Sequence, residues 1–332
     1  MTTLWDTTGT AVVRALGAER RTGGAVTSGN ALTLVVVVDE RDVAEAEEAA
    51  TIAASKHPMR LLMVIRRQID APVPRLDAEV LISGRLGPGE AVVLRMYGRL
   101  ALHAESVTLP LLAPDAPVVT WWNGAPPERI AYDPLGVFAD RRITDVKLAD
   151  DRVAALQQRA VDFAPGDTDL AWTRVTGWRA ALASAVDTAH DVATAATVDG
   201  DAADPSALLL AGWLSSRLGF HVPVNTTASE EIEQVTISFA DGSTIGALRD
   251  GSRLVLRRDG QQDSIAPFPE RSLGELLAEE LRRLDDDHIF AESLAAVTGV
   301  QGLEDRPGTR VHIWKDPALA DDPAATSGSV AG

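Results

Sequence analysis

Three short stretches carry the side chains able to do chemistry. The first is Lys56-His57-Pro58-Met59-Arg60, which crowds three basic-capable residues into one turn between a helix and a strand. Such a group suits an anionic ligand or an acidic partner; a plain surface turn is the other reading. The second is Trp121-Trp122-Asn123-Gly124-Ala125-Pro126-Pro127. Neighbouring strand residues point to opposite faces. One tryptophan is therefore expected to fill the core, and the other to face outward at a strand end, where a rigid aromatic can anchor a partner. Burial of both is the alternative. The third is Asp169-Leu170-Ala171-Trp172-Thr173-Arg174, followed by Trp178-Arg179. Trp172 and Trp178 do not share a narrow helical stripe. Arg174 and Trp178 have the i, i+4 spacing of a cation–aromatic stack, and two core tryptophans are the alternative.

Signatures of a catalytic or cofactor site are missing from the sequence. It holds no nucleophile elbow, Walker loop or zinc-protease helix. Gly84-Arg85-Leu86-Gly87-Pro88-Gly89 does not match the dinucleotide fingerprint. The turn after the first strong strand reads Asp39-Glu40-Arg41-Asp42, with no glycine to admit a phosphate to a helix N-terminus and acids that repel one. The six histidines have no paired ligand spacing. Asp285-Asp286-Asp287-His288 could bind a cation, but such a charge run is usually a solvated helix end. Asp199, Asp201 and Asp204 lack the further ligands of a calcium loop. No catalytic residue, metal or cofactor is expected.

The elements that must position these stretches follow from hydrophobic pattern and punctuation. A short helix is predicted at 8–16 and a Gly/Ser/Thr-rich loop at 20–30. The β-branched run at 32–38 reads as a strand buried on both faces. A helix follows to about Lys56, stopped by His57-Pro58, and a second apolar strand covers 59–65. Together they form a βαβ unit with parallel strands. Two alternating strands, 79–83 and 91–97, flank a hairpin turn at the Gly-Pro-Gly of 87–89. A helix is predicted at 100–112, with strands at 118–122 and 142–146. Further on come helices at 150–164, 169–186 and 206–218, with an acidic linker at 199–205. Three antiparallel strands at 234–239, 243–249 and 253–258 are joined by Asp241-Gly242 and Asp250-Gly251. The last helix is capped by Ser272 and Glu275.

The fold class expected is therefore α/β: an N-terminal open, mostly parallel sheet with flanking helices, and a C-terminal α+β domain with helices and a three-stranded antiparallel meander. The expected domains are 1–165 and 166–315, with a disordered tail at 316–332, where the chain turns small, polar and proline-bearing. The 332 residues suffice for two cores, and 45% hydrophobic with 24% charged residues is ordinary for a globular chain. No cysteine is present, which excludes disulfides and thiolate chemistry. The net charge is −17. It is concentrated in the second half, because residues 1–165 hold 18 Lys/Arg against 21 Asp/Glu and residues 166–332 hold 13 against 27. Such a surface repels a phosphate backbone, so no nucleic-acid partner is expected. The longest apolar run is too short to span a membrane, and with no secretory signal a cytoplasmic protein is expected.

The stretches SKHPMRLLMVI (55–65), LPLLAPDAPVVTWWNGAPP (109–127), DRRITDV (140–146), DLAWTRVTGWRAALA (169–183) and LLLAGWLSSRLGF (208–220), in that order, resemble the glucose-6-phosphate dehydrogenase assembly protein family, OpcA. The resemblance runs from about residue 1 to 315. It implies a two-domain, non-catalytic protein that binds glucose-6-phosphate dehydrogenase and promotes its active oligomeric form, as an activator in the oxidative pentose phosphate pathway of actinobacteria or cyanobacteria. Thiol-based redox control, known in the family, cannot run through a chain without cysteine. On this reading the partner-binding residues are Lys56, His57, Arg60, Trp121, Trp122, Asn123, Gly124, Pro126, Pro127, Trp172, Arg174, Trp178 and Arg179. The strand-end tryptophan makes the contact, with Lys56, His57 and Arg60 beside it. Two other readings stay open: a sugar-phosphate- or nucleotide-binding sensor or enzyme on a modified α/β sheet, and a purely structural homodimer.

Overall fold

The computed structural model describes residues 1–22, 30–187 and 191–308. The tail expected at 316–332 lies outside the described residues. Among these residues the chain is mixed α/β, built on two sheets.

The first sheet has eight strands: β1 (Thr2–Leu4), β2 (Leu32–Asp39), β3 (Met59–Arg67), β4 (Arg75–Gly84), β5 (Gly87–Tyr97), β6 (Val118–Asn123), β7 (Arg141–Thr144) and β8 (Asp167–Asp169). Their spatial order is β1-β4-β5-β3-β2-β6-β7-β8. The six from β5 to β8 in that order run parallel, and β4 and β1 add antiparallel strands at one edge. From β2 the chain builds outward through β3 to β5, then returns to place β6, β7 and β8 on the other side. The reversal leaves a topological switch point between β2 and β6, outside whose carboxyl ends such sheets bind ligands.

β2 and the first seven residues of β3 are buried on both faces, as continuous apolar runs require. Leu34, Val36, Met63 and Trp121 pack on one face against α2 (Val43–Lys56). Val35, Val37, Leu62 and Trp122 lie on the other, in a core that Val12 and Leu16 of α1 (Gly9–Thr22) and Ile130 and Leu135 also join. That segregation is the period-2 alternation of a strand. A short turn of helix, α3 (Glu105–Thr108), covers the same face as α1.

The second sheet has six strands: β9 (Ala193–Gly200), β10 (Val224–Thr226), β11 (Gln234–Phe239), β12 (Thr244–Asp250), β13 (Arg253–Arg258) and β14 (Ser264–Pro267). They lie in the order β10-β9-β11-β12-β13-β14, antiparallel except for β10 against β9. α4 (Arg152–Asp162) joins β7 to β8, α5 (Leu170–Arg174) and α6 (Thr176–Val186) lie between the two sheets in sequence, and α7 (Pro205–Leu218) follows β9. The last helices among the described residues are α8 (Leu273–Glu280) and α9 (His288–Thr298). Val235, Ile237, Ile245 and Ala247 of the sheet share one core with Trp178, Leu182, Leu210 and Leu294. At the α7–α9 crossing a Cβ on Gly212 would sit 2.3 Å from the Ser293 carbonyl oxygen, so only glycine lets the two backbones approach.

The two sheets are tied together across the boundary expected at 165. β8 pairs with β7 as the last strand of the first sheet. α8, although late in the chain, packs its Leu276, Leu277 and Ala278 onto α2 in the first sheet's core. There Gly274 lies so close that a Cβ would meet Ile52 Cβ at 2.6 Å. The Ser272–Glu275 capping box expected at its start is formed.

Several expected elements differ, each for a local reason. The helix expected at 100–112 is only α3 with 3-10 turns either side, because Pro110 has no N–H to continue an α-helix. The helix expected at 169–186 breaks at Val175 into α5 and α6. Gly87-Pro88-Gly89 is not the hairpin turn but the start of β5. Gly89 passes so close to β3 that a Cβ would sit 2.4 Å from the Met59 carbonyl. α1 continues to Thr22, beyond the helix expected to end at 16. Asp199 and Gly200 belong to β9 rather than a linker, and the three-stranded meander is extended by β9, β10 and β14.

Burial of both tandem tryptophans sets a stability test. Replacing Trp122 by alanine should cost about 3–5 kcal/mol, read as a lower urea midpoint with an unchanged slope. A cost near zero would mean that this side chain does not fill the core.

Candidate functional site

Functional side chains gather at the carboxyl ends of the parallel strands. After β2 the chain turns through Asp39-Glu40-Arg41-Asp42 into α2. Arg67 at the end of β3 pairs with Glu40. Across the switch point, Gly124 follows β6 with φ +125°, and a Cβ there would stand 3.8 Å from Asp42 Oδ2. The crevice in which a doubly wound sheet holds a phosphate is thus flanked by carboxylates.

Past β6, the loop at 124–129 is held by α4 from beneath. Arg159 Nη2 donates to the carbonyls of Pro127 (3.1 Å) and Glu128 (2.7 Å). Ile130 N donates to Asp162 Oδ2 (2.7 Å). Burial pushes the Asp162 carboxyl up to about 6, with Arg159 opposing the shift. Ala125, Glu128 and Arg129 are exposed on this anchored loop.

The ends of β7 and β8 are cross-linked by buried acids. Asp169 accepts from Thr144 Oγ1 (2.6 Å), Val146 N (3.0 Å) and Ala171 N (2.9 Å). Burial, reinforced by neighbouring Asp145, pushes its pKa up to about 6. Asp145 is gripped by Arg174, whose two terminal nitrogens donate at 2.8 and 2.7 Å. This bidentate pair forms one wall of a cleft of about 690 Å³ between the two sheets. Its other walls are Lys147, the α5–α6 junction through Trp178, the start of α7 at Asp204 and Ser206, Arg249 of β12, and the segment Pro267–Arg271 ahead of α8. Burial pushes the Asp204 carboxyl up from the ordinary range, partly opposed by Lys147.

The tandem tryptophans correct one expectation: Trp121 is 0% and Trp122 1% exposed, on opposite faces of the sheet. β6 is a central strand flanked by β2 and β7, and each of its faces lies in a hydrophobic core. Asn123 is also buried, and neither amide atom has a hydrogen-bond partner among the described residues. Pro126 and Pro127 are half-buried in the anchored loop.

The basic turn is not beside this segment. Arg60 pairs through Thr33 with the level of Val118, whereas Trp122 lies level with Val64. Four residues of strand, about 13 Å, separate the two levels. Arg60 is itself buried, donating to Glu90 (2.8 Å) and to the Leu111 carbonyl (2.7 Å). His57 Nε2 donates to the Ala278 carbonyl (2.8 Å), which pins α8 to α2, and Lys56 is exposed. The turn lies at the amino ends of the strands, opposite the cleft.

Nor does Arg174 stack on Trp178, since Asp145 takes it. Instead the Arg179 guanidinium lies 3.5 Å from the Trp172 ring centroid, and burial lowers its pKa to about 10. Trp178 meets Phe268 edge-on at 5.5 Å. Asp287 caps α9 and accepts from Trp172 Nε1 at 2.8 Å, so the acidic run at 285–288 serves the packing of α5 and α9.

Two features escaped the sequence reading. One is the cleft, whose residues come from seven separate segments. The other is Trp5, 68% exposed, the one largely exposed tryptophan among the described residues. It follows β1 and sits near the level of Asp77, and so of Arg95 and Ile65, at the carboxyl end of the sheet. A lone aromatic in a short polar N-terminal segment gives no periodic signal.

Two adjoining family models match the chain, and both describe a glucose-6-phosphate dehydrogenase subunit. Residues 50–161 match its N-terminal domain and residues 165–294 its C-terminal domain. Among curated proteins none matches in sequence. Among solved structures, a 3-ketoreductase from Actinomadura kijaniata in complex with NADP and TDP-benzene aligns at 9% identity and TM-score 0.39, covering 86% of this chain and 100% of that one. The Bacillus subtilis protein yvaA aligns at 8% identity and TM-score 0.36, covering 83% and 98%. Likeness at this level carries no chemistry across.

The loop anchor has a pH signature. Because the folded pKa of Asp162 is raised above its unfolded value, the folded chain binds this proton more tightly. Its contribution to stability therefore falls as pH rises from about 4 through about 6. In Asp162→Asn that part of the fall should vanish, so the variant gains on wild type between pH 4.5 and 7.5 in urea titrations. Parallel pH profiles would refute the assignment.

Proposed function

The chain belongs to the glucose-6-phosphate dehydrogenase assembly protein family, OpcA, and on that premise we propose that it is a non-catalytic partner that binds glucose-6-phosphate dehydrogenase and favours its assembled, active form. The observation that carries this reading is the pair of adjoining domain matches, which together span 50–161 and 165–294.

The site chemistry is consistent with such a role. The switch-point crevice is acidic rather than glycine-rich, and the buried carboxylates of the β7 and β8 ends are spent on hydrogen bonds to the chain itself. In our reading the dehydrogenase docks along the carboxyl rim of the first sheet. The anchored loop, with Gly124, Pro126 and Pro127, supplies a rigid surface, and Trp121, Trp122 and Asn123 support it from inside. Trp172, Arg174, Trp178 and Arg179 hold the neighbouring α5–α6 junction. Trp5 supplies an exposed aromatic, the side-chain type most often found as a binding anchor. Lys56 is exposed, but on the opposite rim, and buried Arg60 has no surface to offer. Among the described residues no helix is long and apolar enough to cross a membrane, and the acidic chain disfavours a nucleic-acid partner.

Mixing the chain with the dehydrogenase of its own organism should raise both the enzyme's rate and its sedimentation coefficient. No change in either at any ratio would sink the proposal. Trp5→Ala should melt like wild type, yet need roughly 30-fold more protein for half-maximal activation, the loss of about 2 kcal/mol typical of an interface anchor. Normal activation by this variant would remove Trp5 from the contact.

A further inference from the structure

We propose that the cleft between the two sheets binds a small phosphorylated polyol, of the sugar-phosphate class. The cleft lies away from the basic turn at Lys56–Arg60 that the sequence suggested for such a ligand. Its volume of about 690 Å³ falls in the range of small-molecule sites.

Two side chains on its wall point to a ligand. Asp204 is 2% and Ser206 4% exposed. Asp204 Oδ2 accepts from Ala207 N (3.2 Å) and caps α7, but Asp204 Oδ1 has no hydrogen-bond partner among the described residues. Neither does Ser206 Oγ. Buried polar atoms are nearly always paired, so two orphans in one corner of a cleft imply groups supplied from outside. A carboxylate oxygen accepts and a hydroxyl does both, which suits the hydroxyls of a polyol.

The cations around the cleft divide into two kinds. Arg174 is held by Asp145 at 2.7 Å, while Arg249 and Arg271 pair closely with Glu231 and Glu279. Lys147 and Arg152 are held loosely, each 3.9 Å from its nearest carboxylate, Asp204 and Asp201. That distance is beyond hydrogen bonding. Both cations line the cleft, Lys147 beside Asp204 Oδ1, and both are free to turn toward an anion. A neutral sugar would leave them unused, and an inorganic anion would leave Asp204 Oδ1 unpaired. A nucleotide base needs an open aromatic face, but Trp178 is only 3% exposed and is covered edge-on by Phe268. A phosphate on Lys147 and Arg152, with hydroxyls on Asp204 and Ser206, uses both loosely held cations and both orphaned oxygens.

This proposal concerns the chain alone, so it can fail while the assembly role stands. The purified chain, without dehydrogenase, is titrated by calorimetry and thermal melting with glucose 6-phosphate, glucose, inorganic phosphate and AMP. Saturable binding of glucose 6-phosphate is expected, at least roughly tenfold tighter than the other three. Ser206→Ala removes a hydroxyl that the unliganded fold does not use, and Lys147→Met keeps the apolar stem. Ser206→Ala should melt like wild type without ligand, and both variants should bind about tenfold more weakly. Three results would overturn the proposal: no saturable binding to wild type, equal or tighter binding of phosphate or AMP, or unchanged affinity in both variants.

Discussion

Glu280, at the end of α8, accepts a hydrogen bond from Arg141 Nη2 and another from Thr173 Oγ1, each at 2.6 Å. All three residues are buried. They come from the seventh strand of the first sheet, from the helix leaving its last strand, and from a helix more than a hundred residues later in the chain. Arg141 also donates to the Asp285 carbonyl at 2.8 Å, and Trp172 reaches Asp287 two residues on. Breaking a buried pair by removing one partner leaves a charge without compensation, typically at a cost of about 3–5 kcal/mol. The interaction therefore fixes where α8 lies, and with it the relation between the two sheets.

The position of α8 shapes much of the rest. It lets Leu276 and Leu277 complete the core over α2, brings the Ala278 carbonyl to His57, and aims the preceding segment Pro267–Arg271 across the cleft. The cleft is thus a consequence of a late helix returning to an early sheet. Its polar groups are there because its walls include strand ends and helix starts, where backbone groups need capping and short acidic side chains supply it. Asp145, Asp151, Asp169, Asp204 and Asp287 all cap a helix or turn in this part of the chain. Much of the acidic character of the chain here is thereby structural.

The carboxyl rim combines this cleft with an anchored loop and an exposed tryptophan, while the amino rim is closed by ion pairs and by α8. The asymmetry is common to open parallel sheets, where loops at the carboxyl ends are free to vary on a rigid frame. An assembly protein can use such a rim as a docking edge without any chemistry at the switch point. A metabolite held in the cleft would stiffen the joint between the two sheets next to that edge.

The sequence by itself determined the class of the fold and the absence of a phosphate loop. The apolar runs of β2 and β3, the stop at His57-Pro58, the Asp-Gly hairpins and the Ser272–Glu275 box are local signals, legible because each is set by neighbouring residues in the chain. The family was legible for the same reason, in ordered short motifs. Tertiary structure alone decided what those motifs do. Whether Trp122 faces solvent depended on the core that Ile130 and Leu135, from beyond its own strand, share with it, and whether Arg174 meets Trp178 depended on Asp145 arriving from another strand. Arg60 carries a charge that the sequence reads as available, yet Glu90, thirty residues away, neutralises it inside the protein. Short strands such as β8 and β10 carry too few residues for a periodic signal and exist because a neighbouring strand offers them hydrogen bonds. The cleft has no sequence signature, because its orphaned oxygens and loosely held cations come from segments that only the return of α8 and the pairing of the second sheet bring together.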